Sequence, residues 1–154
     1  MLSRIFHIAV NVKDLDRSVA FYKRLGFQVL ADRTVANPKL SAAFGVPSRE
    51  CRFVHLRLGD DEQATVLDVV EWFDPTTADG PGVPQQNQTG ITRFAVLTED
   101  TDRVYRELSA EGVQFLAEPA TVMTPEGGWK VALAVDPDGV VIQVTQLLPA
   151  AAEA

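Results

Sequence analysis

Short apolar runs and helical stripes alternate along the first half of the chain. Arg4-Ile5-Phe6-His7-Ile8-Ala9-Val10-Asn11 is apolar and rich in β-branched residues, which predicts a strand. Leu15, Val19 and Tyr22 then recur at i, i+4 and i+7, the stripe of an amphipathic helix reaching Leu25. Asp14 stands where an N-cap belongs, and Gly26 where a helix gives way to a left-handed C′ residue. A second strand over 27–31 follows, then a short helix around 40–44 stopped by Gly45 and Pro47. Strands over 52–58 and 64–73 flank a turn at Gly59-Asp60-Asp61-Glu62. Residues 75–89 hold three prolines, two glycines and no periodicity, which predicts a linker.

Beyond the linker the pattern starts again. An offset of 86 carries His7-Ile8-Ala9-Val10 onto Arg93-Phe94-Ala95-Val96, and Asp14, Asp16 and Arg17 onto Asp100, Asp102 and Arg103. The same offset carries Gly26-Phe27-Gln28 onto Gly112-Val113-Gln114. Near the end of each unit an offset of 75 matches Leu67-Asp68-Val69 to Ile142-Gln143-Val144, so the second unit is 11 residues shorter between its helix and last strand. The expected fold class is α+β, a tandem βαβββ duplication. One domain spans 1–154, with unit one at about 4–74, a linker at 75–89, unit two at about 90–147 and a tail at 148–154 with no pattern to bury.

Strand alternation sorts the side chains by face. Phe6, Ile8 and Val10 form the apolar face toward the helix, leaving His7 and Asn11 on the other. Leu67 and Val69 face one way, and Asp68, Val70 and Trp72 the opposite way. Val54, Leu56 and Leu58 suit the helix side, which leaves Phe53, His55 and Arg57 inward. The repeat puts Arg93 and Gln143 inward as well.

Fourteen basic against 21 acidic residues give a net charge of −7, without the basic stripe that nucleic acid or an anionic membrane surface requires. Met1 to Val10 lack the apolar run of a signal peptide, and a lone Cys51 suits a reducing compartment. A cytoplasmic location is expected. No phosphate-cradling glycine motif, Ser/His/Asp grouping or zinc-finger spacing occurs. Cys51 has no neighbouring pattern of a nucleophile and reads as structural.

The run His7-Ile8-Ala9-Val10, the helix Asp14-Leu15-Asp16-Arg17-Ser18-Val19-Ala20-Phe21-Tyr22 with Leu25-Gly26-Phe27, and the closing Asp136-Pro137-Asp138-Gly139 before Val140-Val141-Ile142-Gln143 resemble the vicinal oxygen chelate superfamily, the glyoxalase and bleomycin-resistance fold, over roughly residues 4–147. The resemblance implies that each unit curls its sheet into half of a barrel, with helices outside and the active site inside. It also implies metal-ligand positions at His7, Asp68, Arg93 and Gln143, where metal enzymes of the family carry His or Gln at the third position and Glu at the fourth. This chain departs at both. A guanidinium has no lone pair for a cation, and a carboxamide oxygen binds one weakly. The expected cofactor is none, with a divalent metal on His7, Asp68 and Gln143 as the alternative.

Two functions from different classes follow. One is a metal-independent protein enclosing a small organic ligand with an oxyanion or carbonyl, bound by His7, His55, Arg57, Asp68, Trp72, Arg93 and Gln143. The other is an enzyme of lyase, isomerase, ring-opening or dioxygenase type, with His7, Arg93 and Asp68 catalytic. The bland readings are an Arg93–Asp68 pair that only neutralises itself, a His7 that is a wall residue, and a solvated edge for His55 and Arg57. Phe53, Trp72 and Trp129 supply either an aromatic wall or plain core, and Thr124-Pro125-Glu126-Gly127-Gly128-Trp129 has the glycine content of a flap. Family members pair units within one chain or between two, so a homodimer is one expected assembly.

Overall fold

The computed structural model describes residues 2–46 and 50–150, without the side chains of Leu40 and Ser41. The chain divides into two compact units, 1–80 and 81–154. In unit one the order is β1 (His7–Asn11), α1 (Leu15–Arg24), β2 (Phe27–Val35), α2 (Pro38–Ala43), β3 (Glu50–Leu58) and β4 (Val66–Phe73). Unit two follows with β5 (Phe94–Leu97), α3 (Thr101–Ala110), β6 (Gln114–Phe115), β7 (Ala120–Thr124), β8 (Gly127–Val135) and β9 (Val141–Leu148). Each unit is a mixed sheet with its longer helix on one face, an α+β fold.

The strand order is β1-β4-β3-β2 in the first sheet and β5-β9-β8-β6 in the second, where β7 also pairs with β8. The first and last strands of each unit run parallel, and their registers obey the two sequence offsets. Ala9 lies opposite Asp68, and Ala95 opposite Gln143. The equivalence extends to individual hydrogen bonds. Asp14 and Asp100 each cap a helix by accepting from the N–H of Arg17 and Arg103 at 2.9 Å. The N–H of Leu15 donates to Glu71 Oε2 at 3.0 Å, and the N–H of Thr101 to Gln146 Oε1 at 3.3 Å. Arg52 reaches Asp16 at 2.9 Å, while Lys130 bonds Asp102, tying β3 and β8, each third in its sheet order, to the first turn of the helix.

The helix-facing side of each sheet is the core. Val10, Leu15, Tyr22, Val54, Leu56, Leu67 and Val69 are buried in unit one, and Leu108, Ala132, Ala134, Ile142 and Val144 in unit two. Tyr22 sets its ring edge-on to Phe27 at 5.6 Å. Burying side chains of this size contributes about 1.5–3 kcal/mol each.

The structure departs from the sequence reading at several places. β1 starts at His7, not Arg4, and Phe6 is 57% exposed instead of packing on the helix. The Phe6 and Ile5 carbonyls accept from the N–H of Val66 and the hydroxyl of Thr65, and the Arg4 guanidinium donates to the Gln63 carbonyl. β2 runs on to Val35, past the predicted end at 31, with a bulge between Val29 and Ala31. The corresponding chain in unit two breaks into β6 and β7 around Pro119, which has no N–H to donate to a ladder. Residues 124–129 form the turn and the start of the second strand of a hairpin. Thr124 pairs with Gly127 across a two-residue turn, and a Cβ on Gly128 would collide with the Val122 carbonyl oxygen and lie 2.6 Å from Met123 Sδ. These glycines permit close strand approach. The tail opens within β9, which extends to Leu148, whereas Pro47 and residues 151–154 lie outside the described residues.

Candidate functional site

The face of each sheet that carries no helix holds a hollow. In unit one it measures about 410 Å³ and is lined by His7, Ala9, Asn11, Phe44, Val46, Cys51, Phe53, His55, Asp68, Val70 and Trp72. Alternation along β1, β3 and β4 puts these side chains on one face. His7 and Asn11 come from β1, the first strand in the sheet order, while His55 and Asp68 sit directly opposite each other on β3 and β4.

Asp68 is the electrostatic centre of this hollow. Its side chain is 16% exposed, and His55 Nε2 approaches Oδ1 to 3.5 Å. That approach is close enough for an ion pair, yet Oδ1 is buried and accepts no hydrogen bond. Burial raises the Asp68 carboxyl above the usual carboxylate range, and the imidazoles of His55 and His7 pull it part of the way back. The Cys51 thiol is pushed up by burial and then by the charges of Asp68 and Glu50, which keeps it protonated. Trp72 is held from both ends. Its indole N–H donates to Asn11 Oδ1 at 2.9 Å, and its backbone N–H to Thr77 Oγ1 at 2.9 Å. Phe44 stands against Trp72 with ring centroids 6.3 Å apart. Arg57 does not line the hollow, and its Nε donates to the Gly59 carbonyl at 3.2 Å.

In unit two the hollow measures about 490 Å³ and is lined by Gln86, Asn87, Arg93, Trp129, Val131, Leu133 and Gln143. Arg93, placed inward by the repeat, is exposed, so its guanidinium is not desolvated. It immediately precedes β5, the first strand in its sheet order. Its Nε donates to Gln143 Oε1 at 2.6 Å, and Nη1 to Gln86 Oε1 at 3.2 Å and Thr92 Oγ1 at 3.4 Å. The Gln143 amide in turn donates to Thr145 Oγ1 at 3.0 Å. Trp129 belongs to this hollow, while Phe53 and Trp72 line that of unit one.

The sequence reading passed over Phe44, Val46, Gln86, Asn87, Val131 and Leu133 as lining residues. Val131 and Leu133 were recoverable, since they alternate with Trp129 along one strand. Gln86 and Asn87 lie in the linker, where no periodicity marks them.

The donor chemistry tests a metal. His7 and Asp68 are suitable ligand types. The other two positions do not fit. Arg93 offers no lone pair, and the one ligating atom of Gln143 already accepts from the guanidinium, so a cation there would face a fixed positive charge. Among the described residues no group of three His, Cys, Asp or Glu side chains stands together to hold a metal ion. The residues present do not fit the four-ligand metal of the family.

Comparison with known proteins agrees with the architecture. A lactoylglutathione lyase of Arabidopsis thaliana is 27% identical over 147 residues, 95% of this chain and 45% of that protein. A plant relative from Brassica oleracea is 29% identical with the same coverage. The chain thus spans about half the length of the curated relatives it matches. A glyoxalase family protein from Bacillus cereus superposes with a TM-score of 0.82 at 18% identity, covering 96% of both chains. The trypanothione-dependent glyoxalase I of Leishmania major gives a TM-score of 0.65 at 25% identity, over 94% of this chain and 87% of that one. The model of the glyoxalase/bleomycin resistance protein/dioxygenase superfamily matches residues 4–144. With its duplicated βαβββ units, this chain belongs to that superfamily.

Proposed function

We propose that this protein binds a small organic ligand carrying an oxyanion or a polarised carbonyl, without a metal, as one domain made of the two units. The observation that carries the reading is the contact between Arg93 Nε and Gln143 Oε1 at 2.6 Å. It occupies two positions where metal enzymes of the family hold ligands, and it fixes a guanidinium with its second terminal nitrogen unbonded among the described residues. A planar cationic fork suits a carboxylate, phenolate or enolate oxygen. Hollows of 410 and 490 Å³ match small-molecule sites in size.

Because Arg93 is exposed, its bond to a ligand contributes at the low end for charged hydrogen bonds, about tenfold in affinity. A thermal-shift screen of small aromatic and aliphatic acids against matched neutral amides tests the reading. Acids should stabilise the protein and amides should not, and Arg93→Ala should abolish the difference. Equal responses to acids and amides would leave Arg93 a structural partner of Gln143. A homodimer and a cytoplasmic location belong to the same reading. Cys51 is a free thiol, and among the described residues no helix is long and apolar enough to cross a membrane.

A second reading, an enzyme of lyase, isomerase, ring-opening or dioxygenase type, is favoured by Asp68. A carboxyl raised by burial and flanked by His55 and His7 is suited to accepting a proton beside a carbonyl. The plant relatives' name points to lyase chemistry. Under this reading Asp68→Asn loses turnover but keeps the acid response that depends on Arg93.

A further inference from the structure

We propose that the ligand of the Arg93 hollow is an amphiphilic acid, an anionic head on an extended apolar body; this specification rests on the oxyanion reading above. Three features of unit two carry it. The first is a charge with no counter-charge. The side chains of Arg52, Arg103, Lys13 and Lys130 each lie against a carboxylate. Arg93 does not: its hydrogen bonds go to Gln143, Gln86 and Thr92, all neutral, and unlike Arg4 and Arg57, which donate to backbone carbonyls, it lines a hollow. In a chain of net charge −7, a cation left without a carboxylate at the mouth of a hollow is a place for an external anion.

The second feature is an apolar track leading away from that cation. Trp129, Val131 and Leu133 alternate along β8, so all three present to the hollow. Leu133 lies opposite Gln143, the partner of Arg93, and Trp129 lies opposite Leu147. The track therefore begins beside the guanidinium and ends four residues away, about 13 Å at strand spacing. The third feature is where the exposed apolar surface falls. Trp129 is 41% exposed and Leu147 67% exposed, side by side at the end distant from the charge. A head on Arg93 with a body along β8 would cover both and satisfy both ends of the hollow. A compact acid such as acetate would leave the track bare.

Titration of acetate, hexanoate and decanoate, below micelle-forming concentrations, tests this by calorimetry on the native protein. Affinity should rise roughly fourfold per added methylene while the chain still fits the track. Trp129→Ala should flatten that dependence, read as the slope of affinity against chain length. In a Trp72→Phe background, where Trp129 is the one indole, decanoate should shift its emission to the blue and acetate should not. Acids bound with equal affinity whatever their length would overturn the amphiphile and leave the oxyanion reading intact. No binding of any acid would overturn both. Decanol binding as tightly as decanoate, or sedimentation showing a dimer that covers Trp129 and ignores acids, would also overturn the proposal, the second by assigning the strip to another copy of the chain.

Discussion

Arg93 and Gln143 are joined by a 2.6 Å hydrogen bond from Nε to Oε1, at the places where the duplicated unit has His7 and Asp68 in its first copy. The copies have thus diverged electrostatically on one scaffold. Unit one presents a carboxylate and imidazoles in a hollow walled by aromatic rings, and unit two presents a guanidinium and a carboxamide above an apolar strip. A hydrogen bond between a cation and a neutral carbonyl leaves the positive charge of Arg93 uncancelled.

Protein purified without chelator should carry well under one divalent ion per chain, because Arg93 and Gln143 supply no competent ligand pair. Elemental analysis measures it, and near-stoichiometric zinc, nickel, iron or manganese removed by chelator together with an activity would refute the metal-free reading. Conversely, Arg93→His with Gln143→Glu restores the ligand types of metal enzymes in the family. Calorimetry with nickel or cobalt should show binding to the double variant that the parent lacks.

Asp68 makes stability fall with rising pH. Its folded-state carboxyl is raised by burial, so the folded chain holds that proton more tightly than the unfolded chain does. The contribution is full below the unfolded value, about 3.9, and is lost as pH climbs through the raised folded value. Asp68→Asn, still facing His7, His55 and Cys51, should match the parent near pH 3 and exceed it in urea midpoint at pH 7. Parallel midpoint curves across that range would show that burial of the carboxylate carries no penalty.

Glu71 caps the first turn of α1 through the N–H of Leu15 at 3.0 Å. Glu71→Ala should cost about 0.5–2 kcal/mol, measured by denaturant unfolding. Glu71→Gln should retain most of the stability, since Gln146 performs the same task for Thr101 in unit two. If both variants lost equal stability, the carboxylate charge and not the accepted hydrogen bond would be the source of the effect.

Gly128→Ala should destabilise the chain by about 1–3 kcal/mol, the range for forcing an atom into a filled space. The added Cβ would collide with the Val122 carbonyl oxygen, so β7 and β8 must part and Trp129 must move with them. Thermal unfolding and the emission of Trp129 in a Trp72→Phe background should change together. An unchanged melting temperature would show that the two strands yield at Gly128 without cost.

The duplication, the helix caps and most strand faces are legible in the chain before it folds. Asp14 and Asp100 act within one turn, and side-chain alternation is a property of a single strand, so both are legible without knowing the neighbours. The matching offsets transmitted the register of β1 with β4 to β5 with β9. What the tertiary structure decided were the partners, the exposures and the contributions from distant chain. Arg93, inward by the repeat, flanks the end strand of its sheet and remains open to solvent. Gln86 reaches it from a stretch without periodicity, and Gly127-Gly128, which read as a flap, serve close strand packing. Phe6, placed in the core by alternation, lies before β1 begins. Each of these depends on which surfaces meet across long separations in sequence, and a pattern read within one element carries no term for that.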